Sequence, residues 1–168
     1  MSTTMTTKTA ITNQPDTRVL TRILEEGYGP GAWHGADLKA ATADVPPELA
    51  FWRPTPERHS IAEIAVHHAY FVRDVHSRLT GKAPGPFVLD GEEWFALSDG
   101  SRVSWPAIQE ALDDEQRRLY EAVRSLDDRT SGGTPTSAER LDLVLGITCH
   151  AVYHAGQIQL LKKLAEAR

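Results

Sequence analysis

His150 and His154 stand four residues apart in the segment TCHAVYHAGQIQLLKK, near the end of a 168-residue chain. Residues at that spacing share one helix face, about one turn apart. Two imidazoles placed that way can ligate a single metal ion. At 100° per residue, Leu143, Ile147, Ile158 and Leu161 fall on one stripe, and both histidines lie in its middle. Arg140, Asp142, Lys162, Lys163 and Glu166 lie mostly off it. Polar rings on a buried stripe need partners, and one cation would serve both. The competing explanation is a separate hydrogen bond from each ring to a carbonyl or carboxylate. A third histidine on a facing helix argues for the metal.

That third histidine is offered twice by EIAVHHAYFVRDVHSRL, as His67 and His68. The apolar stripe Ile61, Ile64, Ala65, Val72, Val75 and Leu79 is centred near His68. His67 lies about 100° away, at the stripe's edge near Phe71. Periodicity therefore favours His68, whereas a site at the mouth of a bundle would use His67. A further candidate is Glu115, which falls inside the stripe Ile108, Leu112, Leu119, Val123 and Leu126. A carboxylate on a core-facing stripe is uncommon. It is expected to orient a ligand histidine, act as a base, or pair with Arg117 or Arg118. Tyr153 and Gln157 flank the histidines and are expected to contact a ligand ring or a substrate. Tyr70 and Trp33 are candidates to line the pocket. Cys149 is next to His150 but points about 100° away, so it is expected to be a small buried hydrophobe. HAVYH has no Glu where the H-E-x-x-H motif keeps its general base.

These residues need helices to hold them. The pattern predicts a first helix from Asp16 to about Gly27, stopped by GYGPG, and a short one over Ala36–Ala43, ended by DVPP. Ser60 with Glu63 makes a capping box for a long second helix, running to about Leu79 before Thr80-Gly81. The stretch from Gly81 to Ser104 is a long loop rich in Gly, Pro and aromatics, and a loop of that length is expected to be functional. Ser104-Trp105-Pro106 opens a third helix reaching about Leu126. DDRTSGGTPT is a second loop, and Thr136 with Glu139 caps the long last helix. There is no strand pattern and no internal repeat. The expectation is an all-α four-helix bundle.

Composition narrows the function classes. A net charge of −5 and the absence of a basic run argue against nucleic acid. The longest apolar runs are far short of a membrane span. The segment MSTTMTTKTAITNQ is Thr-rich without an apolar core, so residues 1–15 are expected to form a disordered tail and not a signal peptide, with one domain over 16–168. A single cysteine excludes an internal disulfide and suits a reducing cytoplasm.

RHSIAEIAVHHAYF, followed at long distance by GITCHAVYHAGQIQLLKKL, resembles the DinB/YfiT-like metalloprotein superfamily. AWHGADLKAAT and FWRP carry the likeness over nearly the whole chain from about residue 16, and HAVYHAGQI is its most specific part. The resemblance implies an up-down-down-up four-helix bundle, often dimeric, with a divalent metal on three histidines. By position these are His67, His150 and His154. The sequence departs from the family at His68, where relatives often carry an aliphatic residue. Family members that transfer low-molecular-weight thiols such as bacillithiol, mycothiol or glutathione suggest the same for this chain. Three neutral ligands leave a metal its full positive charge and open positions, and such a metal can hold a thiol as thiolate. The reading is a cytoplasmic, metal-dependent thiol S-transferase that joins a small thiol to an electrophile in stress or detoxification. A metal-dependent hydrolase using Glu115 or activated water is the alternative enzyme. A stress-induced metal-binding bundle without turnover is the non-enzymatic alternative. Zinc is the expected ion, with Ni, Fe or Mn also suited to the ligand set. A homodimer is expected from the resemblance and from a second apolar patch at Val144, Leu145 and Val152, unless the first helix covers it.

Overall fold

The computed structural model of the chain describes residues 17–91, 93–126 and 135–167. The tail expected over residues 1–15 and most of the second loop lie outside these. Among the described residues six helices follow one another: α1 (Thr17–Gly27), α2 (Leu38–Ala43), α3 (Pro47–Ala50), α4 (Ile61–Thr80), α5 (Trp105–Arg124) and α6 (Ser137–Glu166). No strand occurs among the described residues.

The helix ends follow local chemistry. Ser60 accepts from the Glu63 amide, and the Glu63 carboxylate accepts from the Ser60 amide, so both halves of the capping box are made. Thr136 and Glu139 do the same for α6. Ser104 caps α5 by accepting from the Ala107 amide. Gly81 ends α4 at φ 68°, a left-handed conformation that glycine adopts without a Cβ penalty. One element departs from expectation. DVPP ends α2, but its second proline also opens the short α3, since a proline in the first turn gives up an amide that has no helical partner.

The four longer elements close a ring. α1 packs on α5 and α6, and α4 packs on α5 and α6. The interior has two apolar clusters. One gathers Ile61, Ile64, Ile108, Leu112, Ala155 and Ile158. The other gathers Leu20, Leu24, Val72, Leu119, Val144 and Ile147. On α4 the boundary between them falls after Ala69, and on α6 it falls between Ile147 and Ala151. His67, His68 and His150 sit at that boundary. α1 approaches α6 closely at Gly27, where a Cβ would meet the Ala151 Cβ at 2.9 Å. Val144 shares its cluster with Leu20 and Leu24 of α1, while Leu145 remains 44% exposed. The first helix therefore covers part of the apolar patch on α6.

Glu63 ties three segments together. Its side chain is 1% exposed. It accepts from the Ser60 amide at 2.8 Å and the Leu97 amide at 2.8 Å, and it pairs with Arg53. The segment before α4, the start of α4 and the loop after it thus meet on one carboxylate. Burial pushes its pKa up, but the two amides and the Arg53 guanidinium outweigh this and leave it below the ordinary 4.5. A carboxylate with a lowered folded pKa adds stability above its unfolded pKa, and that stability is lost as pH falls through the folded value. E63Q is therefore expected to cost about 2–3 kcal/mol at neutral pH. In chemical denaturation across pH 7 to 3, the gap between wild type and E63Q should stay level above about pH 5 and narrow below it. A gap that widens with acid would refute this role.

Candidate metal centre

Three imidazole nitrogens converge where α4 faces α6. The Nε2 atoms of His67 and His150 are 3.2 Å apart, and those of His150 and His154 are 3.0 Å apart. His67 and His154 are buried at 6% and 2% exposure, and His150 is half-buried. Nitrogens at about 2.0–2.1 Å from one zinc ion, at angles between 90° and 109°, lie about 2.8–3.4 Å apart. The observed separations fall in that range. His67, at the edge of the α4 stripe, supplies the third nitrogen. His68, at its centre, does not.

The far side of each ring explains why the near side is open to a cation. His67 Nδ1 is 2.9 Å from the Glu93 carbonyl. A carbonyl only accepts, so Nδ1 carries the proton and neutral His67 presents a lone pair at Nε2. His154 Nδ1 is 2.6 Å from Gln157 Oε1. The Gln157 amide nitrogen donates to the Tyr153 hydroxyl at 3.1 Å, which orients the amide oxygen toward His154. His154 Nε2 is then also a bare lone pair. His150 Nδ1 is 2.9 Å from His68 Nδ1. Two lone pairs aimed at one point, with a third ring beside them, repel unless an electrophile sits between them. The donor set fits a divalent ion, with His67, His150 and His154 as the residues that would hold it.

Electrostatics keep the rings ready. Burial holds His150 and His154 down at about 4, with neighbouring histidines adding to the effect. His67 is lowered by burial as well. At neutral pH the rings are therefore unprotonated, and a metal need not displace protons from them.

Other side chains hold the mouth of the site. Trp94 lies between two rings in a three-layer stack, 3.7 Å from His67 at 9° and 3.7 Å from His59 at 8°. Trp94 follows Glu93, whose φ is +52°. That conformation is uncommon for a residue with a Cβ. It occurs where the carbonyl is aimed at His67 and the next ring is laid on it. The long loop thus contributes directly to the centre, as its length suggested.

Trp33, Tyr70 and Cys149 depart from expectation, and Glu115 follows its ion-pair alternative. Trp33 is 92% exposed and lines no part of the site. Tyr70 packs against Phe71, Phe87 and Phe95. Cys149 is exposed on α6 among the described residues, not a buried hydrophobe. Glu115 is buried at 5% exposure and pairs with Arg118 at 2.7 Å. Burial raises its pKa despite that partner. It does not belong to the cluster of nitrogens.

A family model for the DinB superfamily matches residues 32–158. The chain belongs to the DinB superfamily. No curated protein and no solved structure gives a significant match. The match spans all three histidines, so the DinB assignment and the geometry describe the same place. It also spans the loop that carries Glu93 and Trp94. No helix among the described residues of this DinB protein is long and apolar enough to cross a membrane.

His68 has a role that periodicity could not show. It is wholly buried, and its Nε2 has no hydrogen-bond partner among the described residues. With a metal at His150 Nε2, the His150 proton sits on Nδ1 and is donated to His68 Nδ1. Partners of this kind fix ring orientation, and losing one typically weakens metal binding 10–100-fold. H68L should therefore lower zinc affinity about tenfold or more by calorimetry. H68N, whose Oδ1 can replace the Nδ1 acceptor, should recover most of it. Unchanged affinity in a folded H68L protein would show that His68 only fills space.

Proposed function

We propose that this protein is a metal-dependent thiol S-transferase acting on a small electrophile. The observation that carries the reading is the donor set. Three neutral nitrogens converge, and among the described residues no carboxylate joins them within 4.8 Å. A hydrolase is commonly helped by a carboxylate base beside its metal, unless the metal alone ionises the water. Here the one buried carboxylate singled out by sequence, Glu115, is engaged by Arg118. Thiol transfer makes no such demand, because a thiol ionises readily once positive charge is placed near its sulfur.

A divalent ion, zinc for preference, would supply that positive charge. The residues do the rest. His67, His150 and His154 hold their lone pairs inward, each fixed by a partner behind it. Trp94 covers one face of His67 and keeps water from that side. In the proposed reaction the thiol proton leaves to solvent and the sulfur electron pair forms a bond to the electrophilic carbon. The leaving group departs with its own electron pair, or in an addition the carbon beside takes up a proton. Gln157 and Tyr153 stand at the rim, where the amide orients His154 and the phenol faces the incoming substrate. The proposal includes a role in stress or detoxification in the cytoplasm, supported by the family resemblance and by the single cysteine.

The test offers a model electrophile to the zinc-loaded protein with bacillithiol, mycothiol, glutathione and no thiol. Conjugation should require one of the thiols, and H154A should abolish both metal binding and conjugation. E115Q should retain most of the conjugation rate. Equal turnover with and without thiol, lost in E115Q, would establish a hydrolase. No turnover under any condition would leave a metal-binding protein.

The proposal extends to assembly as a homodimer. Leu145 remains 44% exposed on α6, beside the part of the apolar patch that α1 covers, and exposed apolar surface of this kind is commonly covered by a partner. Light scattering at micromolar concentration should give twice the 18.5 kDa chain mass. A monomer mass would remove this part of the reading.

A further inference from the structure

The histidine cluster has a cavity on each side, and the two differ in character. Beside His150 is one of about 720 Å³ that Arg78, Glu139 and Asp142 help to line. Beside His154 is one of about 540 Å³, with Ile64, Trp94, Tyr153, Leu160, Leu161 and Leu164 on its walls and Glu57, Arg58 and His59 at one side. Both volumes suit small organic ligands. Both have mainly apolar walls, but the first presents two carboxylates against the Arg78 guanidinium. The second presents one carboxylate, Glu57, against one guanidinium, Arg58.

That cation is uncommitted. Arg58 enters no salt bridge or side-chain hydrogen bond among the described residues, although its charge is felt by its neighbour Glu57. The Glu57 carboxylate is held instead by its own backbone amide and the Thr55 hydroxyl, which with Arg58 lower its pKa. The other arginine of this segment, Arg53, is consumed by Glu63. The walls are equally unspent. Tyr153 is 63% exposed, Leu160 60% and Leu164 45%. Trp94 offers its edge, since both its faces are stacked. Along α6, His154 and Leu164 are ten residues apart, about 15 Å. A ligand lying in the cavity therefore has one end at the metal centre and an apolar wall along its length.

We propose that the cavity beside His154 binds an apolar, ring-containing molecule bearing one anionic group, with the anion at Arg58 and the body against Leu160, Leu164 and Tyr153. The other cavity suits an anion less, with Glu139 and Asp142 against Arg78, whereas Glu57 and Arg58 balance here. The assignment of this molecule as the electrophilic co-substrate rests on the transferase reading, whereas the binding itself does not. Under the transferase reading the electrophile then enters beside His154, which leaves the side of His150 to the thiol.

The test uses metal-free protein and two fluorescent probes. One is the anionic dye 8-anilinonaphthalene-1-sulfonate, and the other is its neutral relative N-phenyl-1-naphthylamine. Both should bind saturably at one site per chain. R58Q should weaken the anionic dye about tenfold, the loss expected for one charge-assisted hydrogen bond at a partly exposed site, and should change the neutral dye less than twofold. L160D should weaken both, and because Leu160 is exposed the fold should persist, as checked by circular dichroism. Absence of saturable binding overturns the proposal. So does anionic-dye affinity unchanged in R58Q, or affinity for both dyes unchanged in L160D. Dye binding in metal-free protein reports the cavity alone, and the thiol panel reports the reaction. A bound dye without conjugation would sink the transferase reading and leave the site standing, and the converse would do the opposite.

Discussion

The structure is organised around the cost of aiming imidazole lone pairs at one another in a poorly solvated place. His67 and His154 each surrender the Nδ1 proton to an acceptor, Glu93 carbonyl and Gln157 Oε1. Each is thereby forced to present a bare nitrogen to His150. Water cannot relieve the repulsion easily, since two of the rings are buried. Such an arrangement persists only if the surrounding packing over-determines it. That packing is the closed ring of α1, α4, α5 and α6, with one apolar cluster on each side of the histidines. The Gly27 contact lets α1 lie close against Ala151, the residue after His150, and so supports α6 from behind.

The loops are bound to the same purpose. Glu63 joins the segment before α4 to the loop after it through Arg53 and the Leu97 amide. That loop then delivers the Glu93 carbonyl and the Trp94 ring to His67. A residue with a Cβ at φ +52° costs of order 1 kcal/mol. The cost falls where a carbonyl must turn inward while the following ring turns to stack. Local strain is offset by the Glu63 bonds a few residues further on, which hold the loop down.

How much of this was legible in the sequence depended on the physical signal each residue carried. Capping boxes at Ser60 and Thr136 could be read directly, because a hydroxyl and a carboxylate three residues apart have one use at a helix start. His150 and His154 were legible through helical period. Period ranked His68 above His67 because it measures depth in the core. His68 is indeed the deeper ring, but a metal with open positions needs the edge, and depth suits the partner that orients a ligand. The family resemblance, and the edge position that a site at the bundle's mouth would use, pointed to His67. Trp94, His59 and Arg58 lie outside helices, where no period exists, so the cavity they form was invisible. The uncommon φ of Glu93 is equally unmarked in its identity. Cys149 misled because a small apolar side chain on a helix fits a core or a surface equally well, and nothing in the sequence says which elements cover that face.

The identity of the outer partners bears on the chemistry as much as the ligands do. Many metal-bound histidines donate to a carboxylate, which raises ligand basicity and lends the site negative charge. Here the three acceptors are a backbone carbonyl, a side-chain amide and a second imidazole, and all are neutral. A divalent ion held by this shell keeps a net charge of +2, and nothing within the cluster offsets it. In a poorly solvated site that charge acts over several ångströms at reduced screening. The preferred entrant is then an anion, or a group that becomes one cheaply on contact. Water ionises from a high pKa and gains from a base nearby, whereas a thiol starts near 8.5 and needs far less help. A neutral outer shell would therefore lower the pKa of either entrant, and of the two a thiol starts nearer to ionisation.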